Sequence, residues 1–163
     1  MEYLWSPWRM SYILDHKNEP GCVFCQALSL PDGPENLIIF RGQFAFVILN
    51  RYPYTSGHLM VIPFEHCATL EGLPTLTRAE MMELIVGCVK TLTASYQPQG
   101  FNIGANLGGA AGAGIPQHVH FHIVPRWDGD TNYMSAIGGV RVVPEALDES
   151  YRRISQAWNK RTE

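Results

Sequence analysis

His118, His120 and His122 stand at alternate positions in the run Gln117-His118-Val119-His120-Phe121-His122-Ile123-Val124-Pro125. On an extended strand alternate side chains share a face, so this spacing lines three imidazoles along one side. Val119, Phe121 and Ile123 then point the other way, and their apolar side chains anchor the strand in a core. Near pH 7 an imidazole can serve as nucleophile, acid or metal ligand. Three in register, with a glycine-rich loop before them and Pro125-Arg126 after, point to a reactive face. A strand that only binds metal is the competing reading.

The flanking segments supply partners for that strand. Residues 44–49 read as a buried strand, 52–57 as a turn and 58–63 as a second strand, a hairpin with a long loop. Residues 101–106 read as a third strand, 118–125 as a fourth, and a shorter strand is expected near 36–41. Thr77-Arg78-Ala79-Glu80 has the capping-box pattern, and Met81, Leu84, Ile85, Cys88 and Leu92 recur behind it at helical spacing. That predicts a helix from about 78 to 96, stopped by Pro98, and Pro144 is expected to open a C-terminal helix to about 159. Hairpin-joined strands with separate helices indicate an α+β fold, an antiparallel sheet of about five strands with helices packed against it.

A chain of 163 residues suits a single domain. Residues 1–20 form an arm rich in Trp, Tyr and Pro, 21–127 the core, and 128–163 a C-terminal segment with a helix. Aromatics so dense in the arm pack on the body of the domain or on a partner subunit. The net charge of -3 and the absence of a basic stripe oppose a nucleic-acid-binding role. A small nucleotide needs only a local set of donors. No run approaches the ~18 apolar residues of a membrane span, and the first residues have no apolar signal-peptide core, so a cytoplasmic protein is expected. In that compartment the pair Cys22 and Cys25 suggests metal or redox chemistry before a disulfide. Cys88 falls in the helical pattern and reads as a core residue.

The segment from His118 to Val124 resembles the histidine-triad signature, His-φ-His-φ-His-φ-φ, and Pro125-Arg126 extends the match. Asn50, the strand Gly57-His58-Leu59-Met60-Val61-Ile62-Pro63, and Asn106 before the glycine-rich loop also fall where that superfamily has counterparts. The start Leu4-Trp5-Ser6-Pro7-Trp8-Arg9 and the stretch Trp127-Asp128-Gly129-Asp130-Thr131-Asn132-Tyr133 resemble a bacterial subgroup that includes diadenosine tetraphosphate phosphorylases.

The resemblance implies a nucleotidyl hydrolase or transferase acting on dinucleoside polyphosphates, with diadenosine tetraphosphate the leading substrate. His120 would attack the α-phosphorus through Nε2 and form a nucleotidyl-histidine, released by water or phosphate. The carbonyl of His118 would orient it. His122, as imidazolium, would donate to the phosphate or the leaving group. The glycine-rich loop, with Gly112 and Gly114, would offer backbone N–H groups to phosphate. Asn106 is a phosphate-facing donor or a turn residue, Asn50 a ribose ligand or a turn residue. Arg126 reaches phosphate or makes a structural ion pair. Two features cut across the family pattern. Ala113-Gly114-Ile115-Pro116 lacks the Gln and the hydroxyl residue that many relatives carry there. The third histidine favours hydrolases, whereas the subgroup favours phosphorylases. By the same resemblance, Cys22, Cys25, His66 and His118 would hold a structural zinc, with Cys67 a competing ligand, and the chain would form a homodimer. Hydrolysis of phosphoramidates or adenylated small molecules, or a low-turnover nucleotide-binding adaptor, are the alternative functions.

Overall fold

The computed structural model describes residues 21–130 and 145–162. The aromatic arm, the end of the Trp127 to Tyr133 stretch and Pro144 lie outside the described residues. The five strands are β1 (Ile38–Arg41), β2 (Ala45–Leu49), β3 (Leu59–Pro63), β4 (Gly100–Gly104) and β5 (Phe121–Arg126). They form one antiparallel sheet in the order β1-β2-β3-β5-β4. The helices are α1 (Val23–Ser29), α2 (Thr75–Tyr96) and α3 (Leu147–Thr162), with a 3-10 turn at Gly109–Ala111. This is the expected α+β architecture. Among the described residues no helix is long and apolar enough to cross a membrane.

The central strands β2 and β3 are buried along their whole length. Both of their faces are covered, which is why they read as continuous apolar runs and not as alternating ones. On one face α2 supplies Met81, Leu84, Ile85, Cys88 and Leu92, all buried as their spacing predicts. α3 adds the buried Ile154 and Trp158, and the Trp158 ring packs 5.2 Å from that of Phe40 on β1. Burial pushes the Cys88 thiol well above its ordinary range, as a core role requires. α2 ends at Tyr96, where Gln97 takes a left-handed φ of 47° immediately before Pro98.

Three local readings differ from the structure. The capping box does not form, because α2 begins at Thr75 with Pro74 at its N-cap and no side-chain cap. The Glu80 carboxylate instead accepts from the backbone N–H groups of Gln43 (2.7 Å), Phe44 (2.5 Å) and Ala45 (2.9 Å). It ties the helix to the turn between β1 and β2, a tertiary use that a local motif cannot reveal. The C-terminal helix starts at Leu147, three residues after Pro144. The segment containing Cys22 and Cys25 is not an isolated knuckle: Cys22 is the N-cap of α1 and Cys25 lies in its first turn. Seven residues with no cap side chain carry no periodic signal long enough to read as a helix.

The Glu80 fastening is testable. Glu80→Gln keeps the shape and removes the charge that strengthens three backbone hydrogen bonds. A loss of about 2 kcal/mol is expected, since bonds to charged groups contribute ~1.5–3 kcal/mol. Urea unfolding measures it; a change within ~0.5 kcal/mol, the usual scatter of surface substitutions, would show that the carboxylate does not hold the turn.

Candidate active site and metal cluster

The regular ladder of β5 begins at Phe121, so His118, Val119 and His120 precede the strand that was expected to contain them. Pro63, at the end of β3, explains the difference. It has no N–H, and its carbonyl is taken by the His118 ring, whose Nε2–H donates to it over 3.0 Å. The backbone here bonds elsewhere: the Val119 N–H donates to the Cys67 carbonyl at 2.7 Å and the His118 N–H to the Ile115 carbonyl at 3.4 Å. Val119 and Ile123 are buried, as the alternation predicts.

The histidines part company here. His120 and His122 line a cavity of about 450 Å³. His118 lies outside it, buried beside Cys22. A carbonyl can only accept, so the His118 carbonyl, 2.8 Å away, holds a proton on His120 Nδ1. The lone pair of His120 is then on Nε2. Burial lowers the His120 pKa, which keeps that nitrogen unprotonated near pH 7.

His122 owes its state to a residue the sequence reading placed only as part of a strand. His58 is fully buried, and its Nδ1 accepts from the Tyr54 N–H at 3.1 Å and from the Asn50 side-chain amide at 3.2 Å. Its proton is therefore on Nε2, which donates to His122 Nδ1 over 2.9 Å. His122 must then carry its own proton on Nε2. Burial, aided by His120, pushes its pKa down to about 4. In the free protein His122 is thus a neutral donor through Nε2–H. A histidine eight residues beyond Asn50, at the start of a buried strand, was the available signal.

The other expected site residues divide. Asn50, Asn106, Gly112 and Gly114 all line the cavity with His120 and His122. Asn50 also closes its own turn, its Oδ1 accepting from the Tyr52 N–H at 3.0 Å. Gly112 has φ +85°, a conformation that favours glycine. Arg126 is absent from the lining; it forks onto Asp130 at 2.6 and 2.7 Å and donates to Asn102 at 2.7 Å. That supports the structural ion-pair reading. The apolar wall comes from Val23, Phe24 and Ala27 on α1, with Leu37 and Ile48.

Beside the cavity, ligand atoms of Cys22, Cys25, His66 and His118 lie within 4.8 Å of one another. His118 Nδ1 is 3.3 Å from Cys22 Sγ and 3.7 Å from Cys25 Sγ, and His66 Nδ1 is 3.4 Å from Cys25 Sγ. Tetrahedral zinc with ordinary bond lengths sets its ligand atoms roughly 3.3–3.8 Å apart, so these spacings fit the ion. The bond to Pro63 fixes the proton of His118 on Nε2 and leaves Nδ1 for a metal. Burial and the neighbouring Cys22 push the Cys25 thiol up, a shift that a cation would reverse. Cys67 is turned away, its Sγ set 3.3 Å from the Thr69 carbonyl.

The depressed histidines predict an acid limit to stability. Both His120 and His122 titrate lower in the folded chain than the ordinary histidine value of about 6.5, so the unfolded chain binds more protons. Their contribution is complete above pH ~6.5 and is lost as pH falls toward 4, at about 1.4 kcal/mol per unit of depression. The urea midpoint should fall across that window, and His122→Gln should flatten the fall. An unchanged profile in that variant would show that His122 is not held neutral.

Residues 33–129 match the family model described as HIT domain. The chain is 36% identical to AP-4-A phosphorylase of Mycobacterium tuberculosis over 97% of its length and 85% of that protein. It is 31% identical to adenosine 5'-monophosphoramidase hnt1 of Schizosaccharomyces pombe, covering 65% of this chain and 74% of that one. A solved structure of a Zn-bound histidine triad family protein from Mycobacterium smegmatis superposes with a TM-score of 0.70 at 29% identity, over 87% of this chain and 96% of that chain. The chain belongs to the HIT domain family, the histidine-triad family of nucleotide-processing enzymes.

Proposed function

We propose that this chain cleaves dinucleoside polyphosphates, diadenosine tetraphosphate foremost, through a nucleotidyl group carried on His120. The observation that bears most weight is the proton held on His120 Nδ1 by the His118 carbonyl. It leaves an unprotonated Nε2 on a residue that lines the cavity. His120 Nε2 forms a bond to the α-phosphorus while the bond to the leaving polyphosphate breaks and its electron pair departs with that oxygen. His122 Nε2–H stands ready to donate to the phosphate or the leaving oxygen. Water or inorganic phosphate then attacks the phosphorus, and the P–N electron pair returns to Nε2. The identity to AP-4-A phosphorylase supports this substrate class. The phosphoramidase relative supports a second reading, hydrolysis of nucleoside phosphoramidates or adenylated small molecules at the same nucleophile.

Backbone N–H groups around Gly112 and Gly114, with the Asn106 amide, are assigned to the phosphates. Asn50 is assigned to the ribose, with part of its amide already committed to the loop. Zinc is assigned to Cys22, Cys25, His66 and His118. Four protein ligands fill a tetrahedral shell, so the ion would supply a cross-link and no open position for substrate. A homodimer is supported by the outer edge of β4, which no described strand covers, and by exposed Ile103 on it. Exposed Leu76, Met82 and Val86 on α2 add apolar surface to be covered.

Two variants test the chemistry. His120→Ala should abolish turnover of diadenosine tetraphosphate while AMP still binds; turnover near that of the parent would overturn the covalent route. Product identity separates the acceptors: ADP with ATP, requiring phosphate, means phosphorolysis, and AMP with ATP in its absence means hydrolysis. His58→Phe keeps a buried ring but frees the His122 tautomer. A loss of roughly 100-fold in kcat is expected with KM little changed, and partial recovery in His58→Gln, whose amide both accepts and donates. Full activity in His58→Phe would refute the tautomer assignment.

A further inference from the structure

α1 belongs to both sites at once. Its N-cap and first turn supply Cys22 and Cys25 to the metal cluster, and Val23, Phe24 and Ala27 supply the cavity wall. Seven residues are too few for a helix to hold itself, and no side chain caps it. The far end is fastened by Asn36, 2% exposed, whose Nδ2 donates to the carbonyls of Ala27 (3.4 Å) and Leu30 (3.3 Å). The near end is tied through the two thiols to His118 and His66. Between them the Phe24 ring sits 5.5 Å from the His118 ring and 5.0 Å from that of His120. One side chain thus touches the metal-ligand histidine and the nucleophile, and lines the nucleotide cavity as well.

We infer that Phe24 is a positioning residue that couples metal occupancy at Cys22, Cys25, His66 and His118 to nucleotide binding in the His120 cavity. The inference rests on the zinc reading given above. With metal bound, the start of α1 is pinned, Phe24 is held against His120, and the wall stands ready for a nucleotide. Without it, that end is held by thiol–imidazole contacts, and a thiol is a weak donor. A nucleotide must then order α1 as it binds, which weakens its affinity. The coupling is reciprocal: nucleotide must tighten metal binding by the same factor by which metal tightens nucleotide.

The test is a linkage measurement on the full chain with zinc and AMP as probes. Zinc content comes first. A chain that takes up no zinc overturns the metal reading, and this inference with it. With zinc bound, calorimetry should find AMP affinity about tenfold higher in the loaded protein than in the chelator-stripped one, within the range of ~5–150-fold usual for such couplings. Chelator competition should find zinc held more tightly by the same factor at saturating AMP. Equal AMP affinity in both forms overturns the coupling and leaves the zinc reading standing. Phe24→Ala should keep stoichiometric zinc while the effect of AMP on zinc affinity falls below about twofold. Chelator competition on the loaded variant needs no folded apoprotein. If AMP still tightens zinc fully in Phe24→Ala, the coupling runs through global folding and the role given to Phe24 is wrong.

Discussion

The His118 imidazole, its proton held by the Pro63 carbonyl, is the joint on which both sites are built. That bond turns Nδ1 toward Cys22 and Cys25, while the residue's own carbonyl holds the proton of His120. One residue therefore sets the nitrogen that faces the two thiols on one side and the unprotonated Nε2 of His120 on the other. It also explains the broken ladder before β5. Pro63 has no N–H to offer a neighbouring strand and its carbonyl faces the imidazole, so the chain at His118 to His120 is shaped by side chains and by backbone bonds to Ile115 and Cys67.

Burial does the rest of the electrostatic work. The cavity has apolar residues on α1, β2 and β3 around two imidazoles, and desolvation disfavours the charged form of each. A neutral His120 leaves Nε2 unprotonated, and a neutral His122 still donates because His58 has taken its Nδ1. Proton placement in this site is thus decided by hydrogen-bond partners that can only donate or only accept. The order runs from the Tyr54 N–H through His58 to His122, and from the His118 carbonyl to His120.

Much of this was legible in the chain, and the misses share a cause. The triad spacing, the pair of cysteines and the buried stripe of α2 are local patterns with fixed physical periods, and each led to the right neighbourhood. Thr77 to Glu80 had a local pattern too, but Glu80 found three stronger donors on the β1–β2 turn. Arg126 was ambiguous between phosphate and an ion pair until Asp130 and Asn102 were seen around it. His58 lay in a segment matched to the family only as a strand, and Phe24 carried no motif; their roles come from what lies across the sheet or against the helix.

The α+β class, the histidine face, the four candidate metal ligands and the cavity residues Asn50, Asn106, Gly112 and Gly114 were readable along the chain, because alternation, ligand chemistry and family resemblance are properties of its order of residues. Tertiary structure alone decided which nitrogen of each imidazole bears the proton, where Glu80 and Arg126 spend their charge, and that α1 joins the metal cluster to the cavity. Most of the partners involved lie far apart in the chain, as His58 and His122, Pro63 and His118, or Glu80 and Phe44 do, and even the near ones, Asp130 for Arg126 and Tyr54 for His58, are aimed by turns that no local motif announces.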